Sequence, residues 1–119
     1  MKTFIKSLVV ICIALFTTNL SSAQIKNLQI VDVKVYGNCG MCKKTIEKAA
    51  NVNGISKAEW DADMAMAKVT IDTTKTTVDD VLKRIAAVGY DSEKFRAPDE
   101  AYNSLPGCCQ YDRPAKKHQ

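Results

Sequence analysis

The sequence predicts an α+β domain: an antiparallel four-stranded sheet covered on one face by two helices. Two observations carry this. Four short runs with strand periodicity and two with helical periodicity follow one another as strand, helix, strand, strand, helix, strand. The chain is also the right size. Met1–Ala23 has the build of a secretory signal peptide, with Lys2 and Lys6 ahead of an apolar Leu8–Phe16 and small residues at Ser21-Ser22-Ala23. Removing those 23 of the 119 residues leaves 96, enough for one small domain.

The first strand is expected over Ile30–Tyr36, where Val31, Val33 and Val35 alternate with Asp32, Lys34 and Tyr36. Gly37-Asn38 breaks it. The helix that follows carries Cys42, Ile46, Ala49 and Ala50 as an apolar stripe and ends at Asn51–Gly54. Ile55–Trp60 is a second strand with Ile55, Ala58 and Trp60 turned inward. Asp61-Ala62-Asp63 turns the chain back into Met66–Ile71, where Ala67, Val69 and Ile71 alternate with Lys68 and Thr70. Thr76-Thr77 offers hydroxyl caps to a second helix, and Asp79-Asp80 suits the positive end of its dipole. Val78, Val81, Leu82, Ile85 and Val88 lie at helical spacing, with Gly89 as the expected C-cap. Tyr90–Arg96 supplies a last short strand. After Pro98 the regularity ends, and Lys116, Lys117 and His118 close the chain as a solvated tail. Two βαβ halves with right-handed crossovers make this a ferredoxin-like βαββαβ sandwich.

Composition excludes several function classes. The signal segment carries two lysines and no acid, so a formal charge of +4 becomes +2 on its removal. That charge, with few aromatic residues, gives no support to nucleic-acid binding. Neither a transporter nor a large enzyme fits the available spans and length. No Ser/His/Asp set, phosphate loop or catalytic carboxylate pair is present, so no enzymatic activity is expected.

Cysteine carries the chemistry. Cys12 leaves with the signal peptide, which leaves Cys39 and Cys42 as a C-x-x-C and Cys108-Cys109 as an adjacent pair. Four cysteines in an exported small domain would ordinarily form two disulfides. The C-x-x-C, however, straddles the start of the first helix. Unsatisfied backbone N–H groups and the helix dipole stabilise thiolates there, with Lys43 and Lys44 nearby. Two such sulfurs converge on one soft or borderline ion, such as Cu(I), Hg(II), Zn(II) or Cd(II). A thiol–disulfide exchange protein is the alternative, since thioredoxin-like folds also place C-x-x-C at a helix start. Against it, no Trp precedes the motif, and Pro98, Pro106 and Pro114 all lie past the core. A purely structural disulfide is the third option.

Gly37-Asn38-Cys39-Gly40-Met41-Cys42, between a Val-rich strand and a helix, resembles the heavy-metal-associated domain family of copper chaperones and periplasmic mercury scavengers. The resemblance runs from about Val31 to Phe95, within a domain spanning residues 24–96, and leaves 97–119 as an extension holding the cysteine pair and the basic tail. It implies a soluble, exported (periplasmic or secreted) monomer that binds one soft metal ion, Cu(I) or Hg(II) first, through Cys39 and Cys42. It also implies that Tyr90 shields the metal loop and that the ion passes to a metal-transporting membrane protein or another metal-binding domain. Where family members commonly carry Met and Thr ahead of the first Cys, this chain has Gly37 and Asn38. Cys108 and Cys109 lie outside the family pattern, and their expected role is that of auxiliary thiolates folded back from the tail. The competing expectation is that they take no part in binding. Met64 and Met66 are expected to pack on the hairpin, away from the C-x-x-C.

Overall fold

Alternating valines and a return strand that alternates Ala67, Val69 and Ile71 with Lys68 and Thr70 build the sheet. In the computed structural model, which describes residues 24–116, β1 (Leu28–Lys34) and β2 (Ser56–Asp61) flank a central β3 (Met66–Asp72), both antiparallel to it. The signal-peptide expectation for residues 1–23, and Lys117 and His118 of the tail, fall outside the described residues. The register runs from Leu28 opposite Asp72 to Lys34 opposite Met66, and from Ser56 opposite Ile71 to Asp61 opposite Met66. It brings Val33, Ala67 and Trp60 to one face, where they meet α1 (Gly40–Ala50) and α2 (Val78–Ala87). Cys42, Ile46 and Ala50 from α1 and Val81, Leu82 and Ile85 from α2 fill the layer between sheet and helices. Burying branched side chains such as Ile46 and Ile85 contributes about 1.5–3 kcal/mol each.

Local chemistry sets the helix ends. The Thr77 hydroxyl accepts the Asp80 N–H at 3.1 Å, and Asp79 and Asp80 lie in the first turn of α2. Val88 is the C-cap and Gly89 follows it at φ +109°, one residue beyond the expected pattern. In β2 the inward residues are Ser56, Ala58 and Trp60; Ile55 lies outside the strand. Ser56 tolerates its buried slot because its hydroxyl donates to the Ala50 carbonyl at 2.6 Å and accepts from Arg84 at 2.8 Å.

The sheet has three strands among the described residues, not four. Residues 90–96 reach β1 through a single bridge, Val35 with Ser92, flanked by Tyr36 N–H to Asp91 O (2.8 Å) and Glu93 N–H to Lys34 O (3.1 Å). Ser92 then ends the pairing. Its hydroxyl accepts the Lys94 and Phe95 N–H groups, and its own N–H turns to the Phe95 carbonyl, so the chain curls away from the sheet.

Past Pro98 the chain is more ordered than its composition suggests. A short helix, α3 (Asp99–Asn103), and a 3-10 turn at Gly107–Cys109 form a strap folded back onto the domain. Tyr111 anchors it: the ring stacks on Tyr90 at 5.7 Å, and the hydroxyl accepts the Asp91 N–H (2.7 Å) and donates to the Gly89 carbonyl (2.8 Å). Arg113 then makes a two-nitrogen bond to the Asp91 carboxylate, both contacts 2.8 Å. Gly89 is required at this seam, since a Cβ there would lie 2.9 Å from the Ala101 carbonyl oxygen. Lys116 lies within 3.6 Å of Asp99.

Asp91 is 1% exposed in its side chain and Arg113 12%. Burial alone would raise the carboxyl pKa, but the Arg113 guanidinium and the Ala97 N–H outweigh it and hold it below the usual carboxylate range. Replacing Arg113 by Met should therefore cost about 3–5 kcal/mol at neutral pH, because a buried carboxylate loses its cation. Depression of a folded-state pKa stabilises above the unfolded value of ~3.9 and is lost as pH falls through the folded value. Urea denaturation of parent and Arg113→Met should accordingly show a gap at pH 7 that closes on acidification below about pH 4.

Candidate metal centre

The centre forms where β1 ends and α1 begins. Cys39 is the N-cap of α1 with extended backbone (φ −150°), and Cys42 lies in the first turn, as the sequence predicts. Their sulfurs are 3.6 Å apart. Cys42 is fully buried, and its thiol donates to the Asn38 side-chain oxygen at 3.1 Å. Cys39 is half-buried, and its pKa is lowered to about 7, first by the Cys42 backbone N–H and then, against some burial, by the Cys42 thiol and the Met41 N–H. This is the thiolate-stabilising field expected at a helix N-terminus.

The strap delivers the other pair to the same place. Cys109 Sγ is 3.8 Å from Cys39 Sγ and 3.9 Å from Cys108 Sγ, and the three sulfurs all lie within 4.8 Å of one another. Cys109 is buried, and burial followed by the neighbouring thiols pushes its pKa up to about 12. Cys108 is exposed, and its thiol points at the Met41 sulfur 3.6 Å away. The four cysteines among the described residues are free thiols.

Tyr90 closes the inner side, beside the thiols of Cys42 and Cys109. Burial first, then those thiols, pushes the Tyr90 phenol well above its ordinary range. The ring is fully buried, and the hydroxyl has no partner that meets hydrogen-bond geometry. Three further contributors were not legible as site residues in the sequence. Asn38 holds the inner thiol. Trp60 floors the loop, donating its indole N–H to Val35 O at 2.8 Å and lying so close that a Cβ on Gly37 would be 2.9 Å from the ring. Tyr111 seats the strap. The lone tryptophan and the Asn four residues before Cys42 were the available signals.

Met64 and Met66 depart from expectation. The pairing of Lys34 with Met66, and Val35 N–H to Ala65 O at 3.0 Å, put the hairpin turn at the same end of the sheet as the C-x-x-C loop. Two connections of a βαββ unit return to one end, and the turn is one of them. Lys43, expected to add to the thiolate field, has its ammonium engaged by Glu47 (2.6 Å) and the Trp60 carbonyl (3.0 Å).

No family profile matches the chain. It is 38% identical over 66 residues to the mercuric transport protein periplasmic component of Pseudomonas aeruginosa, covering 54% of this chain and 72% of that protein. Its structure is similar to that of the CopZ metallochaperone, with TM-score 0.50, 29% identity, and coverage of 54% of this chain and 98% of the other. A solution structure of a Bacillus anthracis protein gives TM-score 0.51 at 28% identity, covering 56% and 96% of the two chains. No helix among the described residues is long and apolar enough to cross a membrane.

The two perturbed thiols should separate in alkylation. In the metal-free, reduced protein, Cys39 should react with iodoacetamide along a titration centred near pH 7, while Cys109 stays unmodified until strongly alkaline pH. Peptide mapping of protein quenched at a series of pH values reads both.

Proposed function

The chain belongs to the heavy-metal-associated family of the mercuric transport periplasmic component, and we propose that it is an exported carrier of soft metal ions. It captures one ion through Cys39 and Cys42 and hands it on by ligand exchange. The observation that carries this is the pair of sulfurs 3.6 Å apart across the start of α1, one lowered to about 7 and one fully buried. A half-exposed thiolate meets the ion first, and the buried sulfur holds it away from water. Cu(I) and Hg(II) are the leading cargoes and Zn(II) and Cd(II) the next, since thiolates select soft and borderline ions.

Release follows the same logic. A thiolate of the receiving protein bonds to the ion as the bond to Cys39 breaks, and a second receiver thiolate then bonds to it as the bond to Cys42 breaks. No electron moves, and the freed thiolates take up protons from water. The receiver is a metal-transporting membrane protein or another metal-binding domain, and the setting is the periplasm or the extracellular space. Free dithiols tend to oxidise there, so the carrier needs a reducing partner or prior loading.

Thiol–disulfide exchange is the second reading, favoured by the lowered Cys39 pKa alone. Two measurements on the reduced protein separate the readings. The Cys39→Ser/Cys42→Ser variant should stay folded and lose tight Cu(I) or Hg(II) binding in anaerobic competition against a chelator. The parent should reduce disulfides no faster than an unstructured dithiol. Undiminished binding by the variant sinks the carrier reading, and rapid turnover that needs Cys39 promotes the redox one.

A further inference from the structure

The strap brings two more sulfurs to a centre that a two-coordinate ion would not need. We propose that Cys108 and Cys109 complete it: with Cys39 they form a three-thiolate site that shares the Cys39 sulfur with the C-x-x-C pair. The chain would then take ions that accept three or more sulfurs, Cd(II) and Zn(II) above all. This rests on the carrier reading and extends it to the class of cargo.

Geometry is the first support. A metal ion with ~2.3 Å bonds spaces its sulfurs ~3.8–4.0 Å apart in tetrahedral or trigonal coordination, and ~4.6 Å apart in linear coordination. The Cys39–Cys42, Cys39–Cys109 and Cys108–Cys109 separations are 3.6, 3.8 and 3.9 Å. The two edges at Cys109 match the higher coordination numbers and fall short of the linear one, and the third edge of the triad, Cys39–Cys108, lies within 4.8 Å.

The second support is what holds the strap. Cys109 is 2% exposed, and the residues after it are pinned by the Tyr111 hydroxyl and the Arg113–Asp91 pair. Pro106 opens the 3-10 turn, and the Cys109 N–H closes it onto the Pro106 carbonyl at 2.8 Å. The fastened strap buries one thiol against Cys39 and holds its neighbour within reach.

Tyr90 lines the inner side of the same centre, beside Cys42 as well as Cys109. Its fully buried hydroxyl lacks a partner in the metal-free protein, beside Cys42 and Cys109. A buried hydroxyl left unpaired costs about 1–3 kcal/mol. A metal-bound thiolate at Cys109 or Cys42 is an acceptor that removes this cost, because sulfur there carries charge and no proton.

The test is X-ray absorption on the full reduced protein loaded anaerobically with Cd(II), together with Cd(II) affinity by chelator competition. The expected result is three or more sulfurs per ion in the parent. In Cys108→Ser/Cys109→Ser the sulfur count should fall to two. Affinity should fall by at least the ~10–100-fold that loss of even an outer-shell partner costs. An unchanged sulfur count and affinity in that variant overturns the proposal. Should the buried Cys109 substitution unfold the strap, the parent alone decides: Cd(II) should protect the exposed Cys108 from iodoacetamide, and equal labelling with and without Cd(II) overturns the proposal. Failure of the carrier reading looks different, since Cys39→Ser/Cys42→Ser would then bind Cu(I) or Hg(II) as tightly as the parent.

Discussion

Asp91 is the residue on which the site's architecture turns. Its carbonyl accepts the Tyr36 N–H at 2.8 Å, fixing the chain just past the first strand, one residue before the C-x-x-C loop begins. Its N–H donates to Tyr111, and its carboxylate takes the Ala97 N–H (2.6 Å) and both Arg113 contacts. One buried residue thus ties the loop, the end of the second half-domain and the strap into a single frame. Such a group is costly to bury unless every lone pair is used, and here the partners are supplied. This frame seats the strap that carries Cys108 and Cys109 beside the C-x-x-C.

The periodic parts of the fold were legible because periodicity reports burial directly. Val33 and Val35, Ile46 and Ala50, and Val81, Leu82 and Ile85 of α2 face the core as read, whereas Val88, read into the same stripe, is the exposed C-cap. The missing strand was not legible. Tyr90–Arg96 has suitable residues, but the Ser92 side chain captures the Lys94 and Phe95 N–H groups that a strand would have extended, and local hydrogen bonding wins over pairing. Ile55 misled for a similar reason. Apolar character suggested an inward side chain, whereas the hydrogen bonds of Ser56 made the polar neighbour the buried one.

The site was half legible. The sequence put Cys39 in the loop ahead of the helix and Cys42 in its first turn, and the structure makes Cys39 the N-cap. The strap's return could be guessed only from chain length, since its anchors are pairs far apart in sequence: Tyr111 with Gly89, Arg113 with Asp91, Tyr102 with Tyr111. The departure at Gly37 has a local explanation. The Trp60 ring fills the space under the loop that a side chain at position 37 would need, so the small residue and the large one are a matched pair.

A sheet of three strands among the described residues has a consequence for how the protein behaves in a crowd. With β3 central, β1 is an edge beyond its contact with residues 91–93, and an open edge can recruit another chain. Leu28 and Ile30, both 59% exposed, add an apolar invitation on the solvent side. Asp32 and Lys34 interrupt it. Opposite charges two residues apart on a seven-residue edge would be desolvated by any incoming strand, and that deters self-association where pairing is otherwise available.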